Sequence, residues 1–253
     1  MKIALVFLSG IIIGSFLNVC IYRLPIGMSL LRPRSQCPHC KQTIKFYHNI
    51  PLLSFLLLKG RCAYCGQKIS WRYFVIELLA GLLAVLAYVK LGVSFHFIFY
   101  LVLMYALLVV SVIDLDVKLI LNRVLIGILL FGVVINLLGR TINWQEAIIG
   151  AVVAGGAMYV IAVIGAKIFR QESMGMGDVK LAIILGFFLG WKTTLIALYL
   201  GFVLALIYYV IRRGITGRSD KYIPMAPFFS LSAVILIFWG SELSKWYWNI
   251  FIH

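Results

Sequence analysis

Two aspartates stand where chemistry is possible. Asp114 closes one apolar run, in the setting Ser111-Val112-Ile113-Asp114, and Asp178 opens another, in Gly175-Met176-Gly177-Asp178. The 253-residue chain has only 8 acidic residues, and 63% of it is hydrophobic. A carboxylate at the edge of such a run is costly unless it is paired or has work to do. Two carboxylates held close cannot both ionise at neutral pH. One keeps its proton and can donate it to a carbonyl, while the other takes a proton from water. That is the chemistry of an aspartic protease. The competing reading is a pair of helix-end acids that cap helices or pair with Arg123 or Lys180. Gly175 and Gly177 would let backbone approach Asp178 closely.

The other acids have lesser claims. If the helix ending at Asp114 continues, Asp116 points about 200° away and cannot share its site; capping the next helix or pairing with Lys118 or Arg123 suits it better. Glu77, just inside another apolar run, reads as a supporting residue paired with Arg72 or Arg123. Glu146, Glu172, Asp220 and Glu242 read as loop or helix-end acids.

The cysteines form a second constellation. Cys37-Pro38-His39-Cys40 and Cys62-Ala63-Tyr64-Cys65 are two knuckles separated by 21 residues. Two such knuckles can close four thiolates into a tetrahedral structural zinc site. Gly66 suits the tight turn after the second knuckle. His39, between two ligands, reads as a solvent-facing residue, and Cys20 as a buried apolar thiol. Disulfides or two redox dithiols are the alternatives; a reducing cytoplasm disfavours the former.

These residues need a membrane scaffold to position them. A mean hydropathy of +1.05 is far above the globular norm and predicts an all-α polytopic membrane protein. Spans fall near 3–22, 74–91, 95–113, 121–138, 145–166, 179–190, 194–211 and 227–243, about eight helices of roughly membrane-crossing length. The first is read as a transmembrane helix and not a removed leader. The sixth is short and interrupted by Gly186 and Gly190. The formal net charge of +15 marks a membrane face and does not point to nucleic acid: 18 of the 23 Lys and Arg residues fall on one set of alternate loops and five on the other. The richer side is expected in the cytoplasm, with both termini outside it. Asp114 and Asp178 are separated by two crossings, so both face that side.

Between the first two spans lies one sizeable polar segment, too short to bury much core without a staple; the cysteines supply it. The expected division is a first transmembrane helix at 1–22, a cytoplasmic zinc-binding loop domain at 23–73, and a membrane-embedded helical bundle at 74–253 carrying the aspartates. Lys167–Lys180 and Arg212–Pro227 are the remaining polar stretches.

Taken together, these motifs resemble the type IV prepilin peptidases. Gly14-Ser15-Phe16-Leu17-Asn18-Val19-Cys20-Ile21-Tyr22-Arg23-Leu24-Pro25 is similar to the family's N-terminal signature. The paired knuckles follow, with Tyr47-His48-Asn49-Ile50-Pro51 before the second and Ser70-Trp71-Arg72-Tyr73 running into Glu77 after it. Ser111-Val112-Ile113-Asp114-Leu115-Asp116 resembles the first aspartate motif, and Gly175-Met176-Gly177-Asp178-Val179-Lys180 the GxGD motif. The resemblance covers nearly the whole chain, with one departure: Ile120-Leu121-Asn122 stands where the family usually has Ile-Pro-Asn.

The resemblance implies an aspartic endopeptidase of the plasma membrane with Asp114 and Asp178 as its catalytic pair. It would remove the short basic leader of prepilins or pseudopilins on the cytoplasmic side. Such substrates serve pili, type II secretion or competence. It also implies N-methylation of the new terminal residue with S-adenosylmethionine, an activity associated with the N-terminal region and loop. No glycine-rich fingerprint marks the binding residues for that cofactor. A redox-active or zinc-binding membrane assembly protein without protease activity is the alternative class. A proton-coupled transporter would need acids deeper in the membrane and inverted repeats.

Overall fold

A computed structural model describes residues 1–170, 174–217 and 223–251, so Glu172, Asp220, Arg218 and Lys221 lie outside the described residues. The described chain is helical, with no strand, only the isolated bridges Gln36–Thr43 and Arg61–Lys68. Among the described residues, six helices are long and apolar enough to cross a membrane. The chain divides into two compact units, Met1–Val93 and Ser94–His253.

In the first unit, α1 (Lys2–Arg23) packs on α3 (Trp71–Leu91). Small residues set their spacing. A Cβ on Gly10 would sit 2.8 Å from the Gly81 Cα, and one on Gly14 2.8 Å from the Glu77 Cα. Lipid tails are as apolar as leucine, so close backbone approach and dispersion hold such helices together. Polar ties close both ends of the loop joining them. Asn18 Nδ2 donates to the Tyr73 carbonyl at 3.0 Å. The buried Arg23 guanidinium donates to the carbonyls of Ser29 (2.9 Å) and Pro33 (2.7 Å). A short helix, α2 (Leu53–Leu57), is tied down by Ser54, whose hydroxyl donates to the Tyr47 carbonyl and accepts from the Ile50 N–H.

Glu77 belongs to this anchoring. Its carboxylate accepts from the Leu52 N–H at 2.8 Å and from Ser15. It is a supporting residue, as its sequence context suggests, but it supports by gripping the loop backbone and α1. The grip falls on Leu52, a non-glycine residue at φ 58, a conformation such residues adopt only where their surroundings enforce it.

The second unit holds α4 (Phe95–Val117), α5 (Asn122–Gly139), α6 (Trp144–Phe169), α7 (Met176–Thr216) and α8 (Ala226–Phe251). Ser94 and Asn143 cap α4 and α6 by accepting from the N–H groups of Phe97 and Gln145. Its core centres on the rings of Phe99, Phe187 and Phe188, with Phe99 and Phe188 centroids 4.4 Å apart. Outward positions stay apolar, as lipid contact requires: Ile12, Val152 and Tyr199 are each more than 60% exposed.

The 41 residues of α7 are not one rod. Gly190 takes φ 74, ψ 167. The Thr194 hydroxyl reaches back to the Leu185 carbonyl at 3.1 Å as well as to the Gly190 carbonyl. In an uninterrupted helix, residues nine apart are roughly 13 Å apart along the axis. The chain therefore bends sharply at Gly190, giving helical halves at 176–189 and 191–216. The sixth and seventh spans expected from sequence fall on these two halves, so the expected count of eight is loosely met, with α8 contributing only the shorter apolar stretch Ala226–Gly240. Gly186, the other interruption, has a different task. It meets Gly150 of α6 backbone to backbone, where a Cβ on either would collide with the other's peptide group.

Gly186→Val therefore overpacks the α6–α7 crossing, at a cost of about 1–3 kcal/mol. Its thermal midpoint in detergent should fall, whereas Gly127→Ala, into open space on α5, should leave it unchanged or higher.

Candidate active site and metal site

Asp114 lies in the last turn of α4 and is 6% exposed. Its carboxylate Oδ2 accepts from the Ala226 N–H at 3.1 Å. Ala226 is fully buried and begins α8, so the carboxylate sits against the positive end of that helix. Behind it, the α4 backbone closes through Lys118, in the left-handed conformation, whose N–H donates to the Asp114 carbonyl. Asp116, on the same helix, is exposed. The helix runs on to Val117, so the two neighbours face different ways, as helical geometry requires.

Asp178 is the third residue of α7, and its carboxylate reaches back to the backbone of Gly175, the residue before the helix. This is half of a capping box, so the capping expected of a helix-end acid is present. It does not account for the second feature of Asp178, which is that its carboxylate interacts electrostatically with that of Asp114. Two crossings, α5 and α6, return the chain to the face where α4 ended. Lys180 is engaged elsewhere, its Nζ donating to Asn122 Oδ1 at 3.0 Å.

The glycines of the second motif differ in purpose. A Cβ on Gly177 would sit 2.8 Å from that of Ile120, so this glycine lets the α4–α5 connection lie on α7 beside the two acids. A Cβ on Gly175 would meet chiefly Asp178 Oδ2, at 3.6 Å. Leu121, where the family usually has proline, takes φ −79, ψ 121. That φ is close to the value proline imposes, so leucine leaves the turn into α5 in the same geometry.

The sequence assigns no role to two polar groups near Asp114. One is the Ala226 N–H, 112 residues from its acceptor. The other is the Ser111 hydroxyl, one helical turn before Asp114, which is buried without a hydrogen-bond partner.

The four knuckle cysteines form one cluster, with all four sulfurs within 4.8 Å of one another and Cys37 Sγ 3.8 Å from Cys65 Sγ. A tetrahedral site with Zn–S bonds of about 2.3 Å has sulfur–sulfur edges of roughly 3.8 Å. The spacing fits a metal ion and is far too long for a disulfide. The knuckles are built alike. Each first cysteine donates its N–H to the carbonyl five residues on (Gln42, Gln67), and its own carbonyl accepts from the residue after the second cysteine. That residue has positive φ in both: Gly66 at 69° and Lys41 at 59°. The sequence flags the glycine but not the lysine.

Backbone N–H groups of Cys65 and Tyr64 hold the Cys62 thiol down to about 7. The Gln67 N–H favours the Cys65 thiolate, but desolvation and hydrogen bonds with Cys62, Cys40 and Cys37 leave that thiol up at about 11. Sulfurs clustered this closely are what a divalent cation would bind as thiolates.

Comparison with known proteins identifies the family. Residues 8–91 match the Bacterial Peptidase A24 N-terminal domain, and residues 101–210 match the Type IV leader peptidase family. This chain belongs to the type IV leader peptidase family. Among its relatives are proteins named prepilin leader peptidase/N-methyltransferase. That of Aeromonas hydrophila is 34% identical over 276 residues, covering 98% of this chain and 94% of the relative. That of Legionella pneumophila is 32% identical, covering 95% and 92%, and that of Bacillus subtilis 32%, covering 97% of each. No solved structure matches the chain.

Elemental analysis of protein purified without chelator should find one divalent metal ion per chain. Cys37→Ser or Cys62→Ser should lower that occupancy and open residues 23–73 to protease. Metal-free wild-type protein with an intact loop would contradict the site.

Proposed function

We propose that this leader peptidase cuts the short basic leader from prepilins or pseudopilins at the cytoplasmic face of the plasma membrane, then N-methylates the exposed terminal residue. The observation that carries the reading is the placement of two helix-terminal carboxylates, Asp114 and Asp178, near enough to interact on one face of a membrane bundle. The excess of Lys and Arg on the loops of that face supports a cytoplasmic orientation.

Asp114 and Asp178 are the catalytic pair. The ionised carboxylate takes a proton from a water, whose oxygen adds to the scissile carbonyl carbon. The protonated partner gives its proton to the carbonyl oxygen. The tetrahedral intermediate then collapses, the C–N bond breaks, and the leaving amine takes up a proton. The Ala226 N–H keeps the Asp114 carboxylate in one orientation through these transfers. The Ser111 hydroxyl, one helical turn before Asp114 and buried without a hydrogen-bond partner, is a further donor on α4.

Residues 23–73 would form a loop domain between α1 and α3 of the first unit, while the aspartates belong to the second unit, Ser94–His253. Cys37, Cys40, Cys62 and Cys65 would hold Zn²⁺ there, contributing on the order of 10 kcal/mol to ordering the loop. The methyl donor implied by the family is S-adenosylmethionine, which supplies a methyl group to the amine. A groove of about 650 Å³ beside the knuckles has donors suited to it. Arg34 and Lys45 would hold its carboxylate, and Phe46, Tyr47 and Tyr64 offer ring faces to its purine and sulfonium.

The test is a prepilin-like peptide incubated with detergent-purified protein, its products weighed by mass spectrometry. Asp114→Asn and Asp178→Asn should each reduce cleavage at least about a hundredfold, the scale of general acid–base catalysis, with folding retained. Asp116→Asn should cut normally. Near-normal cleavage by either dyad variant would refute the pairing.

Tyr47→Ala should weaken equilibrium binding of S-adenosylmethionine by about tenfold, near the worth of one well-placed cation–π contact, while leaving cleavage unchanged. Unaltered binding would exclude the groove.

A further inference from the structure

We propose that the cavity where α5 ends and α6 begins binds the phosphate of a phospholipid headgroup, on the membrane face opposite the aspartates. The cavity measures about 570 Å³ and is lined by Asn136, Leu137, Arg140, Ile142, Asn143 and Trp144. It lies one crossing from the catalytic face. α5 begins at Asn122, which is bonded to Lys180, and runs 18 residues to Gly139, roughly 27 Å at helical rise.

The hydrogen-bonding groups of this cavity are unbalanced. Asn136 is fully buried, and its Oδ1 accepts from both the Thr141 hydroxyl and the Ile142 N–H. The backbone donor fixes the orientation of the amide, and the buried Nδ2 is left with no partner. Asn143 spends its Oδ1 on the Gln145 N–H as the cap of α6. The side-chain acceptors are thus used within the loop, and what remains are donors: the Asn136 and Asn143 amide N–H groups, the Trp144 indole N–H and the Arg140 guanidinium. A buried donor without an acceptor points to a missing partner.

The missing partner is anionic. The cavity opens at the N-terminus of the 26-residue α6, where the helix dipole favours negative charge. Arg140 is one of only five cations on this face's loops and termini by the sequence topology. The nearest carboxylate of α6, Glu146, does not line the cavity; its Oε2 lies 3.9 Å from a Cβ built on Gly190. A lipid is favoured over a free ion by the surroundings. Trp144 is an interfacial residue type, and Leu137, which lines the cavity, and Ile148 on α6 are 64% and 59% exposed, as acyl chains would require.

The test is native mass spectrometry of the full chain in detergent, titrated with phosphatidylglycerol, with diacylglycerol of the same chains, and with inorganic phosphate alone. Phosphatidylglycerol should bind at one site per chain at least about tenfold more tightly than diacylglycerol, a ratio worth about 1.4 kcal/mol. Arg140→Gln combined with Asn143→Ser should abolish that preference. Serine still caps α6 and Arg140 is exposed, so an unchanged thermal midpoint verifies folding. Equal binding of the two lipids, or a preference that survives in the variant, would overturn the proposal. Inorganic phosphate binding as tightly as phosphatidylglycerol would overturn the lipid as the source. None of these outcomes depends on the aspartate pair.

Discussion

The structure depends on one constraint: a bilayer has no water to solvate a carboxylate or a peptide group. Asp114 and Asp178 meet it by standing at helix ends, where backbone N–H groups are free to receive them. Asp114 takes the first N–H of α8, and Asp178 turns back on the residue before its own helix. Each acid is thereby held by a backbone group, which under the proposed mechanism leaves the pair able to share a proton.

The rest of the second unit follows from bringing α4, α7 and α8 to one point. Gly177 admits Ile120 beside the acids, Gly186 and Gly150 let α6 and α7 meet at backbone distance, and Gly190 bends α7 so that the chain comes back to Ala226. The first unit uses the same device, with Gly10 and Gly14 setting α1 on α3. It then spends its polar residues on the loop: Arg23 holds 29–33, Glu77 holds Leu52, and the cysteines draw the two knuckles together.

Much of this is legible in the residues themselves. Long apolar runs mark most helices to within five residues, because in lipid a span must be both helical and apolar, although α8 runs on to Phe251, well past its expected end at 243. The cysteine spacing marks the cluster because a knuckle is local. Asp114 and Asp178 are conspicuous because acids are scarce, and two crossings suffice to place them on one face. What is not legible is non-local or conformational. The Ala226 N–H is a backbone group with no side-chain signature. Lys41 holds a positive φ that only the knuckle geometry enforces. Glu77 carries a charge that suggests arginine partners, while its partners are a backbone amide and a serine. Gly190 is visible as an interruption, but its sharp bend shows only through the Thr194–Leu185 hydrogen bond.

The central claim is that the carboxylates of Asp114 and Asp178 converge. A direct measurement replaces both with cysteine and treats the membrane-embedded protein with a short bifunctional methanethiosulfonate, followed by peptide mass spectrometry. The account predicts a linked peptide pair carrying positions 114 and 178, and a much weaker yield when Asp116→Cys replaces Asp114→Cys. An equal or greater yield from the 116–178 pair, or no link between 114 and 178, would contradict it.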